Sequence, residues 1–256
     1  MSEYPGFGIL LARLLESREL DAQSLPGTEN ERGELRAALD GAAPGRPLLQ
    51  WLATALGMHV PDLYVIAGME VPPELAPLDA TAGPRTARLV WQAGQLPREG
   101  VSELLELARS LPQQDRAEPF PPPRGYERYP PGFGGMLARM LATRNLNWES
   151  SVRVLIAVSL GRVYWSAATV GLVGRGRKEV TPALAAVFAA TLGMAAGDLA
   201  AIGGMRLPAD PEIPLNPSAH AMAELTWEAR RLTAGQVELV HGKAEAMRHR
   251  WGGTGL

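Results

Sequence analysis

The sequence predicts an all-α protein built from two tandem repeats. Three observations lead to this fold class. Apolar residues recur at helical spacing in successive segments. Pro and Gly stand where such segments begin and end. Finally, much of the first half of the chain returns in the second half. At 256 residues the chain is long enough for two domains, each with its own core.

The repeat has two offsets. Residues 4–15 return as residues 130–141, an offset of 126, with Pro-Gly-Phe-Gly and Leu-Ala-Arg in both copies. Later landmarks return at an offset of 136: Leu56-Gly57-Met58 as Leu192-Gly193-Met194, Gly68-Met69 as Gly204-Met205, and Leu89, Trp91 and Leu96 as Leu225, Trp227 and Leu232. The second copy is therefore ten residues longer between its first and fourth helices.

Each half is predicted to be a five-helix bundle followed by a two-helix extension. Helices are predicted at Phe7–Leu20, Leu48–Leu56, Val60–Ala67, Thr81–Gln95, Arg98–Leu111, Ser218–Arg231 and Thr233–His249. One stripe of the fifth segment is apolar: Val101, Leu104, Leu105, Ala108 and Leu111. It must be buried, either on its own domain or as the seam of a dimer.

The predicted domains are residues 1–112 and 131–250. Residues 113–130 between them are rich in proline and are expected to form a stiff, extended linker. A proline-rich stretch can also be a ligand for aromatic grooves.

The run from Asn147 to Met194 is typical of a helix-turn-helix. This motif needs a small residue at the helix contact, a turn glycine about four positions later, and apolar residues where the second helix packs back. Those positions hold Ala157, Gly161, Ala167 and Val170.

In this frame four residues fall on the free face of the second helix, where they could reach a DNA groove: Tyr164, Trp165, Ser166 and Thr169. Four cations flank that helix and could neutralise phosphates: Arg162 before it and Arg175, Arg177 and Lys178 after it. Alternatives stay open for both sets. The two aromatic residues could belong to the core in another register, and the basic stretch could be a solvated loop that offsets the helix dipole.

The segment from Gly132, with the turn and the closing run Thr181–Met194, resembles the lambda-repressor-like (Cro and xenobiotic-response-element type) helix-turn-helix family. The first half resembles it more weakly. The resemblance implies five-helix DNA-binding domains and a bacterial transcriptional regulator. The span Leu146–Leu184 is several residues longer than the family pattern.

The first half is expected to be a degenerate copy. If Gly27 is its turn, the small position is Gln23 and one packing position is Arg36, so the frame fails. Acidic residues stand where a DNA reader needs cations: Glu29, Glu31, Glu34 and Asp40. Residues 1–75 carry 5 basic and 11 acidic side chains, whereas residues 129–207 carry 8 basic and 3 acidic ones.

Signals for other chemistry are weak. The chain has no cysteine, and its four histidines show no metal-ligand spacing, so we expect no enzyme, no cofactor and no metal site. The Gly171-x-x-Gly174-x-Gly176 run lacks the Lys-Ser/Thr of a phosphate-binding loop. Gly161-Arg162 interrupts the longest apolar run, so no membrane segment is expected. The expected location is the cytoplasm, on the nucleoid.

The leading hypothesis is a transcriptional regulator that contacts double-stranded DNA mainly through the second repeat. The first domain or the helical pairs would serve a homodimer or a protein partner. The alternative is a protein-interaction scaffold, since the free face lacks the Arg, Asn and Gln that pair with base edges. A pseudodimer that reads two half-sites is disfavoured by the acidic first copy.

Overall fold

The computed structural model describes residues 4–123, 125–210 and 212–252. These residues form thirteen α-helices and three short 3₁₀ turns, with no strand among them, which confirms the all-α prediction. The first half contains α1 (Phe7–Ser17), α2 (Glu29–Leu39), α3 (Arg46–Leu56), α4 (Val60–Ile66), α5 (Gly83–Ala93) and α6 (Arg98–Ser110). The second half contains α7 (Phe133–Thr143), α8 (Trp148–Val158), α9 (Ala167–Gly174), α10 (Pro182–Leu192), α11 (Ala196–Ile202), α12 (Ala219–Ala229) and α13 (Ala234–Gly252).

Helix ends follow local sequence signals. Proline stands in the first turn of α3, α4, α5 and α10, where a missing N–H costs nothing. Gly57 and Gly193 end α3 and α10 in the left-handed conformation, with φ of +59° and +72°. Glu19 also has a positive φ, +55°, and α1 ends two residues before it rather than at Leu20.

The prediction of five helices before the extension is wrong for the first half, which has four. Residues 18–28 form no α-helix, because Pro26 and Gly27 interrupt this short segment just before Thr28 caps α2. Thr28 and Glu31 make reciprocal bonds in a capping box, which holds the start of α2.

Two glycines allow two pairs of helices to approach closely. A Cβ on Gly8 of α1 would lie 2.3 Å from the Ala38 carbonyl oxygen at the end of α2. A Cβ on Gly134 of α7 would lie 2.0 Å from the Val173 carbonyl oxygen near the end of α9. Thus α2 lies against α1 as α9 lies against α7. Helix α8 has no counterpart, which accounts for the ten-residue difference in length.

The halves pack against each other through matching helices. Helix α1 packs on α11, α4 packs on α7, and α5 and α6 pack with α12 and α13. The buried apolar side chains of both halves join into one core. The apolar stripe of α6 is covered mainly by α12 and α13 of the same chain, so it forms neither a seam between chains nor a face packed only on its own half.

Two reciprocal ion pairs join the halves. Arg144 Nη1 and Nη2 lie 2.5 and 2.8 Å from the two carboxylate oxygens of Asp62, and both side chains are at most 2% exposed. Arg18 Nε and Nη2 lie 3.0 and 2.6 Å from the two oxygens of Asp198. The arginines are 126 residues apart and the aspartates 136, which are the two offsets of the sequence repeat.

Each arginine of these pairs also closes the end of a helix in its own half. Arg18 Nη1 donates to the Leu56 carbonyl oxygen, and Arg144 Nη2 donates to the Leu192 carbonyl oxygen, both at 2.5 Å. Leu56 and Leu192 are again 136 residues apart. An arginine of each half therefore binds an aspartate of the other half, so the contact between the halves is made twice with the same residue types.

The proline-rich segment between the halves has no α-helix in its described part, which excludes residue 124. It is held at both ends. The Arg116 guanidinium donates to the carbonyl oxygens of Pro77, Ala76 and Pro73 at 2.6, 3.0 and 3.3 Å, and the Tyr129 hydroxyl accepts a 2.6 Å hydrogen bond from Trp148 Nε1. Across the described ranges, none of the helices combines the length and the apolar character needed to cross a bilayer.

Candidate nucleic-acid interface

Helices α8 and α9 form the helix-turn-helix region, but the turn is longer than predicted. It runs from Ser159 to Ser166. Gly161 has a φ of +81°, as a turn glycine requires. The Ser159 hydroxyl accepts a 2.9 Å hydrogen bond from the Val163 N–H, and the buried Val163 side chain anchors the turn. Residues 162–166 form no helix, and Ser166 is extended just before Ala167 begins α9.

This longer turn corrects the placement of three predicted groove residues. Tyr164, Trp165 and Ser166 precede α9 instead of lying on its face, and only Thr169 lies within the helix. Val170 is buried, as the predicted packing position requires, whereas Ala157 and Ala167 are half-buried.

The two aromatic residues of the turn differ in exposure. Tyr164 is 83% exposed. Trp165 is half-buried and tilts against Phe188 of α10, with ring centroids 6.0 Å apart. Tyr164 therefore fits the alternative of an exposed residue. Trp165 fits the other alternative, a residue that lies partly in the core.

The four predicted phosphate contacts also divide into two groups. Arg162 in the turn and Arg177 after α9 are exposed. The Arg175 guanidinium lies 5.2 Å from the Trp148 ring centroid and donates to the Gly171 carbonyl oxygen at 3.1 Å. The Lys178 ammonium lies 5.4 Å from the Trp165 ring centroid. Aromatic rings thus hold the second group in place against the protein surface.

The start of α9 presents amide groups that no side chain caps. The Ser166 hydroxyl, at the N-cap position, lies 3.1 Å from the Thr169 hydroxyl instead of bonding a backbone N–H. Uncapped amides at a helix N-terminus carry partial positive charge and suit a phosphate oxygen. Arg162 lies four residues before Ser166 in the sequence, so it adds a full positive charge to the segment that leads into α9.

The exposed face of α9 is apolar. Ala168 and Leu172, one turn apart, are both exposed, and Leu160 in the turn is exposed as well. The predicted register placed the free face at Tyr164–Thr169 and so did not include Leu160, Ala168 or Leu172. The spacing of four residues between Ala168 and Leu172 is the signal that could have found this face.

The histidines serve packing or lie in solvent. His59 stacks on Trp227 with ring centroids 3.4 Å apart and an angle of 7° between the planes. Burial lowers the pKa of His59 from 6.5 to about 4, and the nearby Asp62 carboxylate partly opposes the shift. Within the described ranges, no three His, Asp or Glu side chains group closely enough to hold a metal ion.

The chain was also compared with known proteins. No family model, curated protein or solved structure matches it.

Proposed function

We propose that this protein is a DNA-binding transcriptional regulator that contacts double-stranded DNA through α8, the turn 159–166 and α9. The observation that carries the proposal is the exposed pair Arg162 and Arg177, one on each side of a helix whose first amides are uncapped. Phosphates on two strands that flank a groove need this arrangement of positive charge. A protein with this function would act in the cytoplasm, on the nucleoid.

We also propose that the chain consists of tandem lambda-repressor-like repeats. Backbone conformation supports this part of the proposal. Residues with positive φ recur at the two sequence offsets: Glu19 and Asn145, Gly57 and Gly193, and Gly68 and Gly204. Such conformations are uncommon outside glycine, so their recurrence at Glu19 and Asn145 favours a common helix-ending turn. The first repeat would be the copy that has lost its reading unit.

The mode of binding follows from the side chains that α9 exposes. Ala168 and Leu172 offer apolar contact, which suits thymine methyl groups, and Thr169 offers one hydroxyl. None of these makes a two-pronged bond to a base. Most of the affinity would then come from the phosphate backbone, and specificity would depend on DNA shape.

The first half would support the reading unit. Helix α5 of the first half packs directly on α8, so the first half fixes the position of the helix-turn-helix. Its own α2 carries Glu29, Glu31 and Glu34, whose negative charges oppose phosphate. This half is therefore the better surface for a protein partner or a second copy.

The test replaces the two exposed cations in the full chain. We expect Arg162→Ala with Arg177→Ala to lower the slope of log K against log salt by about 1.8, because each phosphate contact contributes about 0.9. Fluorescence anisotropy with mixed duplex DNA over a salt series measures this slope. Arg98→Ala is the matched control, since Arg98 is an exposed arginine at the start of α6, in the other half.

The control is expected to leave the slope unchanged. An unchanged slope in the double variant would remove α9 from the DNA interface. A loss in the control about half as large as the loss in the double variant, which removes twice the charge, would show that overall charge, and no specific surface, drives binding.

A second candidate function is a protein-interaction scaffold, and the apolar face of α9 favours it. Leu160, Tyr164 and Leu172 are all exposed, and exposed apolar side chains that cluster often mark a protein interface. If this function is right, Leu172→Glu abolishes capture of a partner, while the purified chain fails to bind duplex DNA even at low salt.

A further inference from the structure

A groove of about 670 Å³ lies where the two halves meet behind the helix-turn-helix. Its walls come from α5 of the first half and from α8 and α13 of the second half. Ala167, the first residue of α9, lies at its edge. Sites for small molecules commonly have volumes of about 300–1,000 Å³ and occur where domains or helices meet.

The groove offers an aromatic surface. Trp91 of α5 lines it and is 39% exposed, and no ring or cation among the described residues contacts its indole. Val152 and Ile156, one turn apart on α8, are half-buried in the same wall. Trp91 therefore shares the wall of the groove with apolar side chains and keeps part of its surface open to solvent.

The repeat contains an internal comparison for this tryptophan. Trp227, at the offset of 136, is covered by the stacked His59 ring and by the Arg230 guanidinium, 4.2 Å from its ring centroid. The same offset pairs His59 with Ala195 and Arg230 with Gly94. Neither alanine nor glycine has a side chain that can stack. The ring is thus present at Trp91, but the two equivalent covering positions, 195 in the second half and 94 in the first, hold residues that cannot stack on it.

Two carboxylates in the wall of the groove suit a ligand that carries positive charge. Arg88 is already paired with Glu238, at 3.0 Å. The four charged side chains of the lining, Arg88, Arg153, Glu149 and Glu245, sum to zero. Because Arg88 is held by Glu238, the carboxylates of Glu149 and Glu245 and the guanidinium of Arg153 are the charged ends that a ligand can meet.

We propose that this groove binds a small, planar, aromatic cation, which stacks on Trp91 and places its positive charge toward Glu149 and Glu245. The ligand would cover Trp91 as His59 and Arg230 cover Trp227. The face of the indole ring attracts a cation. The proposal does not rest on the proposed DNA binding, because neither Arg162 nor Arg177 lines the groove.

The experiment is isothermal titration calorimetry of the full chain without DNA. The probe is 1-methylquinolinium, and 2-naphthoate is an anion of the same size and shape. We expect 1-methylquinolinium to bind with a Kd of about 0.1 mM, the range for a ligand with so few atoms, and 2-naphthoate to bind at least about tenfold more weakly.

Variants locate the site. Trp91→Ala is expected to weaken 1-methylquinolinium binding about tenfold, while Trp91→Phe keeps part of the affinity because a ring remains. Glu245→Gln is expected to weaken it about threefold. Glu106→Gln is the matched control, since Glu106 is an exposed glutamate on α6 outside the groove, and it should leave the Kd unchanged.

Circular dichroism of each variant shows whether the helices are intact. Equal affinity for the cation and the anion would overturn the proposal, as would an unchanged Kd in folded Trp91→Ala. Weak DNA binding by the unmodified chain would affect neither result, so the two proposals fail separately.

Discussion

At the scale of single residues, the two reciprocal ion pairs are chemically alike but differ in burial. Arg144 and Asp62 are almost fully buried, and Arg144 also donates to the Met140 and Leu192 carbonyl oxygens. Arg18 is 26% exposed, so water reaches its guanidinium. Loss of the carboxylate partner is therefore expected to cost more at Arg144 than at Arg18, because an unpaired charge is costly only where water cannot solvate it.

This difference predicts unequal effects of the two aspartates on stability. Asp62→Ala should lower the free energy of unfolding by about 3–5 kcal/mol, because it leaves the Arg144 charge buried and unpaired. Asp198→Ala should cost only about 1–2 kcal/mol, since Arg18 can turn to solvent. Urea unfolding followed by circular dichroism measures both. Equal losses would show that the burial of Arg144 does not decide its energy.

His59 makes stability depend on pH. Its pKa is about 4 in the folded protein, below the ordinary 6.5, so folding favours the neutral ring. The stability it contributes is complete above pH 6.5 and is lost as the pH falls from 6.5 toward 4. By pH 4.5 the loss should reach about 2 kcal/mol.

A variant isolates this contribution from the carboxylates that titrate in the same range. His59→Phe keeps a flat ring against Trp227 but has no proton to gain. The unmodified protein should lose about 2 kcal/mol more than His59→Phe between pH 7 and pH 4.5, as measured by urea unfolding at both values. Parallel losses would show that His59 is free to take up a proton in the folded state.

At the scale of elements, glycine sets the distance between α7 and α9. A Cβ on Gly134 would lie 2.0 Å from the Val173 carbonyl oxygen, and backbone cannot yield as a flexible side chain can. Gly134→Ala should therefore push α9 outward and lower the free energy of unfolding by about 1–3 kcal/mol.

The control for this substitution lies in α2. Gly33 is exposed within that helix, and a Cβ there would meet no atom within 4 Å. Gly33→Ala should raise the free energy of unfolding by about 1 kcal/mol through helix propensity alone. Urea unfolding compares the two, and a stabilising Gly134→Ala would mean that α7 and α9 are further apart than the structure shows.

Local signals explain which elements were predictable from the sequence. Proline in the first turn and a left-handed glycine after the last turn mark α3 and α10. The start of α9 was missed because the apolar residues Val163 to Trp165 continue the helical pattern into the turn, without Pro or Gly to interrupt it. Ser166, a favoured N-cap residue before two alanines, was the available signal.

The candidate site was predictable only in part, because its arrangement depends on packing. Arg162 and Arg177 were identified as cations beside a helix, and both are exposed. No pattern in the sequence showed that Arg175 and Lys178 would lie over Trp148 and Trp165. Contacts between the halves could not be predicted from local patterns, since Arg18 and Asp198 lie 180 residues apart in the sequence.

At the scale of the whole molecule, the contacts between the halves decide how the chain unfolds. Helices α5 and α6 pack with α12 and α13, and α1 and α4 are covered by α11 and α7. Separating the halves would expose the apolar faces of these helices and break both ion pairs. Neither half retains a complete core alone, so unfolding of one should unfold the other.

This arrangement predicts one cooperative transition. At about 0.7 kcal/mol per residue, unfolding all 256 residues together gives an enthalpy near 180 kcal/mol, and independent halves would each give about 90. Scanning calorimetry should therefore find a van't Hoff enthalpy equal to the full calorimetric enthalpy. Asp198→Ala should lower the temperature of this single transition without splitting it, because the pair that it removes stabilises both halves at once. A van't Hoff enthalpy of half the calorimetric value would instead mean that the reciprocal ion pairs join two domains that fold alone.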